Sequence, residues 1–198
     1  MAVITDINQL DLNKLYTYAD YLTWSFQERV ELLKGKIFKM SPAPSQIHQR
    51  VSFDIGLLLG NHLKNKPCHT FAAPFDVRLV NFKQSSSNNQ VITVVQPDIC
   101  VICNESKLDD KGCVGSPDLI VEILSSGNSK KEMNIKFDLY EENAVLEYWI
   151  VEPHQKSILI YTLQNGKYIG LKPFTEDEII KSPLFPDLNF NIKDIFNF

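Results

Sequence analysis

One carboxylate inside an otherwise apolar segment constrains the fold of this chain more than any other residue. Glu122 stands in the middle of the run Leu119-Ile120-Val121-Glu122-Ile123-Leu124. An aliphatic and β-branched run that ends at a Ser-Ser-Gly turn is typical of a strand buried on both faces of a sheet. A carboxylate is costly to bury there unless a cation meets it. We therefore expect a partner for Glu122, either in a structural ion pair or in a metal site.

Length and composition predict one folded domain. The chain has 198 residues, of which 44% are hydrophobic and 22% are charged, values close to average globular usage. Apolar stretches stay well short of the roughly 20 residues that a membrane helix needs. The first residues lack the basic start and apolar core of a signal peptide. The expectation is a single domain over residues 1–198, located in the cytoplasm and not in a membrane.

The cysteines do not show the paired spacing of a secreted disulfide framework, so reduced thiols are expected at Cys68, Cys100, Cys103 and Cys113. Cys100 and Cys103 form a CxxC pair, but they lie in a predicted strand, where positions three apart point to opposite faces. Since no second pair follows at metal-ligand spacing, zinc is not expected.

The charge balance leaves two interpretations of one basic segment. A net charge of −4 argues against a broad electrostatic footprint for nucleic acid. Between residues 29 and 50, however, Glu31 is outnumbered by five basic residues, Arg29, Lys34, Lys36, Lys39 and Arg50. These could form a local phosphate-facing patch or an ordinary solvated surface.

The order of hydrophobic patterns predicts an α/β (α+β) fold with a central mixed sheet in one layer, flanked by helices. Residues 1–27 form a helical extension, and residues 28–163 form the core. Residues 164–198 form a C-terminal strand and tail. Within the core, the patterns predict a hairpin at 29–40, a helix capped by Ser45, strands at 69–80 and 91–103, a helix at 129–143 and strands at 147–151 and 157–162. The expected apolar stripe of the first core helix is Ile47, Val51, Ile55, Leu58 and His62.

Two aspartates compete to join Glu122 in a metal site. Asp118 lies four residues earlier on the same strand face, which at about 3.3 Å per residue is roughly 13 Å away. Asp98 opens the preceding strand, and neighbouring strands are only about 4.8 Å apart. If those strands pair, both carboxylates reach one hard cation. Asp98 is therefore the predicted ligand, and Asp118 is a turn or strand-start residue.

The following helix offers a cation. Lys136 lies between Met133 and Tyr140 on the edge of the predicted apolar stripe, so its side chain can reach inward. The alternative is a surface lysine that extends into solvent or pairs with Glu132 one turn earlier.

Pro97-Asp98, Glu122 and Lys136 resemble the active-site set of the PD-(D/E)XK nuclease superfamily, and residues 21–153 resemble its Uma2 branch, also called DUF820. The matching motifs cover about two-thirds of the chain and include Val30-Glu31-Leu32-Leu33-Lys34-Gly35, Met40-Ser41-Pro42-Ala43-Pro44, Gln96-Pro97-Asp98 and Ser116-Pro117-Asp118-Leu119-Ile120-Val121-Glu122. The resemblance implies a restriction endonuclease-like αβββαβ core with extra hairpin strands. It also implies hydrolysis of DNA phosphodiester bonds with Mg²⁺, for which Mn²⁺ substitutes, held by Asp98, Glu122 and the carbonyl of Ile123.

Two departures from the superfamily pattern affect the interpretation of the site. Leu124 stands where the lysine of the ExK motif belongs, so Lys136 resembles the relocated lysine of this branch. Ser125-Ser126-Gly127-Asn128-Ser129 replaces a turn that usually contains Ser-Pro.

Glu31 and His48 are further candidates, expected at the rim of the site. Glu31 is either structural or an auxiliary ligand. His48 falls in the first turn of the helix capped by Ser45, where it either faces a phosphate or is a structural histidine. A homodimer would suit an enzyme that cuts both strands. Rival functions are a catalytically idle nucleic-acid- or protein-binding member of the fold and a hydrolase of small phosphodiesters.

Overall fold

The computed structural model describes residues 3–40, 44–80, 87–125 and 130–198. Most of the turn that departs from the family pattern, residues 126–129, lies outside these ranges. The helices are α1 (Tyr18–Tyr21), α2 (Gln46–Leu63) and α3 (Lys130–Glu142), with short 3₁₀ turns at Ile7–Gln9, Glu105–Lys107 and Ile192–Asp194. The strands are β1 (Val30–Leu33), β2 (Lys36–Lys39), β3 (His69–Ala72), β4 (Val77–Arg78), β5 (Val94–Val95), β6 (Ile99–Ile102), β7 (Leu108–Asp109), β8 (Gly112–Val114), β9 (Leu119–Ile123), β10 (Glu147–Glu152), β11 (Ser157–Gln164), β12 (Lys167–Gly170), β13 (Ile179–Lys181) and β14 (Asn189–Asn191).

The strands form two mixed six-stranded sheets and a C-terminal hairpin. The first sheet has the order β2-β1-β5-β4-β8-β7, the second has the order β12-β11-β10-β9-β6-β3, and β13 pairs with β14. The predicted α/β class is confirmed, but the strands expected in one layer belong to two sheets. Pro74 and Pro97 explain the difference, because a proline cannot donate to a strand ladder. Each interrupts a predicted long strand, so that β3 and β6 join one sheet while β4 and β5 join the other.

Helix α2 packs its apolar side on the second sheet. Ser45 caps it, and the Ser45 hydroxyl accepts from the backbone N–H of His48 at 3.2 Å. The buried stripe consists of Val51, Ile55, Leu59 and Leu63. Ile47, Leu58 and His62, also predicted for this stripe, are only partly buried. The buried row continues from Ile55 at a spacing of four residues, so Leu58 and His62 lie one position beside it on the helix surface.

The prediction of reduced thiols is wrong for two of the cysteines. β3 and β6 pair antiparallel with His69 opposite Ile102, so Cys68 and Cys103 face each other at the next position and form a disulfide. Cys100 and Cys113 are free and buried. Cys100 packs in a different core cluster from Cys103, as expected for strand positions that point to opposite faces.

The C-terminal residues contribute to the main core, which the sequence patterns did not indicate. Ile180, Leu188, Phe190, Ile192, Ile195 and Phe196 are buried with α2 and the second sheet. Their anchor is the buried Glu147 carboxylate on β10, which accepts from the Ser182 hydroxyl at 2.8 Å and the Leu184 backbone N–H at 2.7 Å. Within the described part of the chain, no helix combines the length and apolar character needed to cross a bilayer.

Candidate active site

Asp98 and Glu122 lie on neighbouring strands. β6 and β9 pair antiparallel with Ile99 opposite Val121, so Asp98 comes directly opposite Glu122 at the next position. The Asp98 carboxylate accepts from the backbone N–H of Ile123 at 2.8 Å, which fixes it beside this strand. Asp118 instead accepts from the backbone N–H of Cys103 at 2.7 Å. The predicted pairing of strands is confirmed, and Asp118 is a strand-start residue.

Lys136 points into the site. Its ammonium group lies 3.0 Å from Glu122 Oε1 and 3.1 Å from Glu31 Oε1, and its side chain is only 9% exposed. The reason is its position on the inner face of α3, beside the buried Leu139 and Tyr140. The alternative of a solvent-exposed surface lysine is therefore wrong.

Glu31 lies in the interior and not at the rim. It stands on β1 of the first sheet, and its side chain is 2% exposed. Besides Lys136, Glu31 Oε1 accepts from the backbone N–H of Gln96 at 2.8 Å. Lys136 thus connects a carboxylate of the first sheet with a carboxylate of the second.

His48 contacts the candidate ligand Asp98. Its ring Nε2 lies 3.2 Å from Asp98 Oδ2, and the side chain is largely buried. Burial alone would lower the pKa of His48, but the hydrogen bond and the negative charge of Asp98 outweigh it and raise the pKa. Among the described residues, His48 Nδ1 is buried without a hydrogen-bond partner. The charged imidazolium of His48 donates to Asp98 and therefore orients the Asp98 carboxylate, a candidate metal ligand.

Tyr140 is a site residue that the sequence patterns placed only in the apolar stripe. Its hydroxyl donates to Glu122 Oε1 at 2.6 Å, and the side chain is fully buried. Burial and the charge of Glu122 raise the pKa of Tyr140, so the hydroxyl keeps its proton. The available clue was its spacing, since Tyr140 is one helical turn after Lys136 and faces the same way.

The site carries an excess of negative charge. Burial raises the pKa of Glu122 to about 7; the charges of Asp98 and Glu31 also raise it, while Lys136 and Tyr140 lower it. Burial would lower the pKa of Lys136, but Glu122 and Glu31 outweigh it and raise the pKa, so Lys136 stays charged. Three carboxylates therefore face one permanent cation, with His48 as a second when it is protonated.

A divalent cation fits this charge and these donors. In the described ranges, no three His, Cys, Asp or Glu side chains converge as a ready-made metal cage. Mg²⁺ needs no such cage, because it is commonly held by one or two carboxylates and keeps several waters. The opposed carboxylates of Asp98 and Glu122 supply hard oxygen ligands, and the Ile123 carbonyl is the next backbone acceptor along β9.

Four of the five basic residues of the segment 29–50 have separate partners. Lys34 pairs with Glu142 at 2.7 Å. The Lys36 ammonium donates to the Asn13 carbonyl, and Arg50 donates to Asn197. The Arg29 guanidinium donates to the Gln96 side chain.

The mixed sheets, with two carboxylates on adjacent strands and a lysine from the next helix, have the arrangement expected of a restriction endonuclease-like protein. The family model of Uma2, described as "Putative restriction endonuclease", matches residues 18–193. The chain therefore belongs to the Uma2 family, and the family description supports a nuclease function.

Similar proteins agree with this family. Two uncharacterized proteins of Synechocystis sp. are similar in sequence: one is 28% identical and aligns over 84% of this chain and 89% of its own length, and the other is 26% identical and aligns over 72% and 71%. A crystal structure described as a "putative nuclease belonging to DUF820" from Anabaena variabilis matches with a TM-score of 0.70. It covers 92% of this chain and 98% of that chain at 19% identity, which shows a shared fold.

Proposed function

We propose that this protein is a magnesium-dependent endonuclease that hydrolyses phosphodiester bonds in DNA. One observation carries the proposal: Lys136 meets Glu122 at 3.0 Å, directly beside Asp98 on the neighbouring strand. Carboxylates that hold a hard cation, together with an ammonium group for the anionic phosphate, are the parts that phosphodiester hydrolysis needs.

Asp98 and Glu122 would hold Mg²⁺ or Mn²⁺, with the Ile123 carbonyl and water completing its coordination. The bound ion would supply an activated water and neutralise charge that develops on the phosphate. The protein fixes both carboxylates for this task, since Ile123 N–H and His48 hold Asp98, while Tyr140 and Lys136 hold Glu122.

Lys136 has two roles in this proposal. Without substrate, it compensates part of the charge of Glu31 and Glu122. With a phosphate bound, its ammonium group positions the attacking water or stabilises the pentavalent transition state. Glu31 binds the Lys136 ammonium group from the first sheet and so helps to fix its position.

The test is cleavage of supercoiled plasmid, with and without Mg²⁺ or Mn²⁺, compared with hydrolysis of a small chromogenic phosphodiester. Metal-dependent nicking that Asp98→Ala abolishes supports the proposal. Hydrolysis of the small diester alone would favour a small-molecule hydrolase, and DNA binding without turnover would favour an idle member of the fold. The proposed enzyme acts in the cytoplasm as a homodimer. Sedimentation equilibrium tests the dimer, and fractionation of cells that express the protein tests the location.

A further inference from the structure

A polar network next to the site ends at one exposed guanidinium group. Arg29 immediately precedes β1, and its Nη2 donates to Gln96 Oε1 at 2.8 Å. Arg29 is solvent-exposed, and among the described residues it forms no ion pair with a carboxylate. Arg78, by contrast, is buried and paired with Asp109. The charge of Arg29 is therefore available to a ligand.

Asp76 and Tyr21 set the orientation of the Gln96 side-chain amide. Gln96 Nε2 donates to Asp76 Oδ1 at 2.9 Å and lies 3.3 Å from the Tyr21 hydroxyl. Asp76 accepts from the Gln96 NH₂ group, so the side-chain oxygen of Gln96 faces Arg29 and accepts from its guanidinium. The network thus fixes the Gln96 amide in one orientation, in which its oxygen is available to accept from a guanidinium group.

Two tyrosine hydroxyl groups complete the hydrogen bonds to the Asp76 carboxylate. The Tyr18 hydroxyl donates to Asp76 Oδ2 at 3.1 Å, and the Tyr21 hydroxyl lies 3.5 Å from Asp76 Oδ1. Burial, followed by the charge of Asp76, raises the pKa of both tyrosines, so both remain donors. Asp76 is consequently held as an acceptor by three neutral side chains. Such a satisfied network keeps the Gln96 side chain in place.

The same Gln96 is attached to the candidate active site. Its backbone N–H donates to Glu31 Oε1 at 2.8 Å, and the residue lies two positions before Asp98. Two residues of extended chain span at most about 7 Å. One DNA strand carries a phosphate for every 3.4 Å or so of helix axis. The Arg29 guanidinium lies at the end of the Gln96 side chain, one side chain beyond this backbone. A DNA strand with one phosphate between Asp98 and Glu122 would therefore carry a further phosphate of the same strand toward Arg29.

We infer that Arg29, oriented by Gln96, is a phosphate-binding residue that anchors the DNA backbone next to the scissile phosphodiester. This inference rests on the proposed function for its substrate. Arginine suits the role because its planar fork of N–H groups binds two phosphate oxygens while another N–H stays on Gln96.

The test is equilibrium binding of a short fluorescein-labelled DNA duplex, measured by anisotropy over a range of salt concentrations in EDTA. Arg29→Ala should raise Kd about tenfold, as expected for a lost hydrogen bond to a charged group. It should also make the slope of log K against log salt shallower by about 0.9, the value for one phosphate contact. Lys36→Ala is the matched control, because it removes the same charge from the same hairpin. The Lys36 ammonium group is bound to the Asn13 backbone carbonyl and is not expected to contact DNA. This variant should leave both values unchanged.

Gln96→Met separates orientation from charge. It keeps the length of the side chain and removes its polar atoms, so Kd should rise while the salt slope stays at the wild-type value. Circular dichroism melting of each variant checks that the fold is retained. Arg29→Ala that binds like wild type overturns the inference, as does an equal loss in Lys36→Ala. Arg29-dependent binding by a wild type that cleaves no DNA would retain this inference and remove the proposed function.

Discussion

Lys136 and Glu31 are 105 positions apart in the sequence, yet the ammonium group lies 3.1 Å from the carboxylate. Glu31 belongs to the first sheet and Glu122 to the second, and Lys136 of α3 contacts both. The lysine is therefore a structural bridge between the sheets as well as a candidate catalytic group. Substitutions in this site will change stability and activity together, and experiments must measure both.

The first prediction concerns the metal ligands. Asp98→Ala should abolish the binding of Mg²⁺ or Mn²⁺ in isothermal titration calorimetry, because one of two carboxylate ligands is lost. Asp118→Ala is the matched control, since Asp118 immediately precedes β9, the strand of Glu122, but its carboxylate accepts from the Cys103 N–H instead of facing the site. It should bind metal like wild type even if it melts lower. Equal metal binding by wild type and Asp98→Ala would remove Asp98 from the site.

The second prediction separates the two roles of Lys136. Lys136→Ala should abolish DNA cleavage, since the ammonium group that acts on the phosphate is lost. It should also lower the free energy of unfolding by about 3 to 5 kcal/mol, because Glu31 and Glu122 lose their buried cation. Mg²⁺ should recover part of that loss in urea titrations, because it binds the folded state.

A lysine placed on the strand tests the same role from another direction. Leu124 lies two residues, or roughly 6.6 Å, beyond Glu122 on the same strand face. In the double variant Leu124→Lys/Lys136→Ala, the new ammonium group should restore part of the cleavage rate, whereas Leu124→Lys alone should gain nothing. Wild-type cleavage by Lys136→Ala, in a preparation free of contaminating nuclease, would refute the catalytic role of Lys136.

The parts of the site that sequence could predict depend on local periodicity. A carboxylate inside an apolar strand indicated Glu122, and the spacing of neighbouring strands favoured Asp98 over Asp118. Helical spacing allowed Lys136 to face inward but left a surface lysine as the alternative. The interior position of Glu31 needed a different kind of information, because it depends on how two sheets meet. With a single predicted sheet, Glu31 was placed at the rim of the site. In the structure, the break at Pro97 separates β5, which pairs with β1, from β6, which pairs with β9, and this brings Glu31 of β1 into the interior.

The disulfide is a second feature that local sequence patterns could not predict. Spacing along the chain gave no reason to pair Cys68 with Cys103, and only the register of β3 and β6 makes them neighbours. Tyr140 differs, because its spacing from Lys136 was visible. Its aromatic ring fits an apolar stripe equally well, so the polar role of the hydroxyl appears only when the position of Glu122 is known.

The third prediction is that reduction destabilises the protein. The disulfide closes a loop across a sequence separation of 35, which corresponds to about 4 kcal/mol in the chain-entropy model. Dithiothreitol should lower the melting temperature of wild type by about 10 °C, and it should have no effect on Cys68→Ser. Cys100→Ser is the control, because Cys100 is a free thiol and its variant should respond like wild type. A melting temperature of wild type that is insensitive to reduction would contradict this prediction.

The fourth prediction follows from the raised pKa of Glu122. Its pKa is about 7 in the folded state against an ordinary value of 4.5, so the folded state binds a proton that the unfolded chain releases. Without metal, stability is greatest below pH 4.5 as far as this group is concerned, and it falls by about 3 kcal/mol as the pH rises to 7. Urea titrations in EDTA measure this change.

Glu122→Gln isolates that contribution from those of other buried groups. It cannot ionise, so its stability should fall less with pH than that of wild type over this range. Addition of Mg²⁺ should stabilise wild type most above pH 7, where Glu122 is a carboxylate, and should not stabilise Glu122→Gln. Parallel pH profiles of the two proteins in EDTA would be inconsistent with a raised pKa of Glu122.

The fifth prediction assigns Tyr140 the task of keeping Glu122 ready to bind metal. The Tyr140 hydroxyl donates to Glu122 Oε1 and lowers the pKa of that carboxyl, against the effect of burial. Tyr140→Phe should therefore raise the pKa of Glu122 further and move the midpoint of Mg²⁺ binding up by about one pH unit, for a hydrogen bond to a charged group of ordinary strength. Calorimetry at several pH values measures that midpoint.

The control for this shift removes the same chemical group elsewhere in the core. The buried Tyr168 hydroxyl donates to the Val145 carbonyl at 3.0 Å, so Tyr168→Phe also loses one hydrogen bond and keeps its ring. It should lower stability to a similar extent as Tyr140→Phe and leave the midpoint of metal binding where it is in wild type. If the two variants bind Mg²⁺ identically at every pH, the Tyr140 hydroxyl only fills the core. If Tyr140→Phe alone is shifted, the hydroxyl sets the charge of Glu122, because both rings and both packing environments are otherwise preserved.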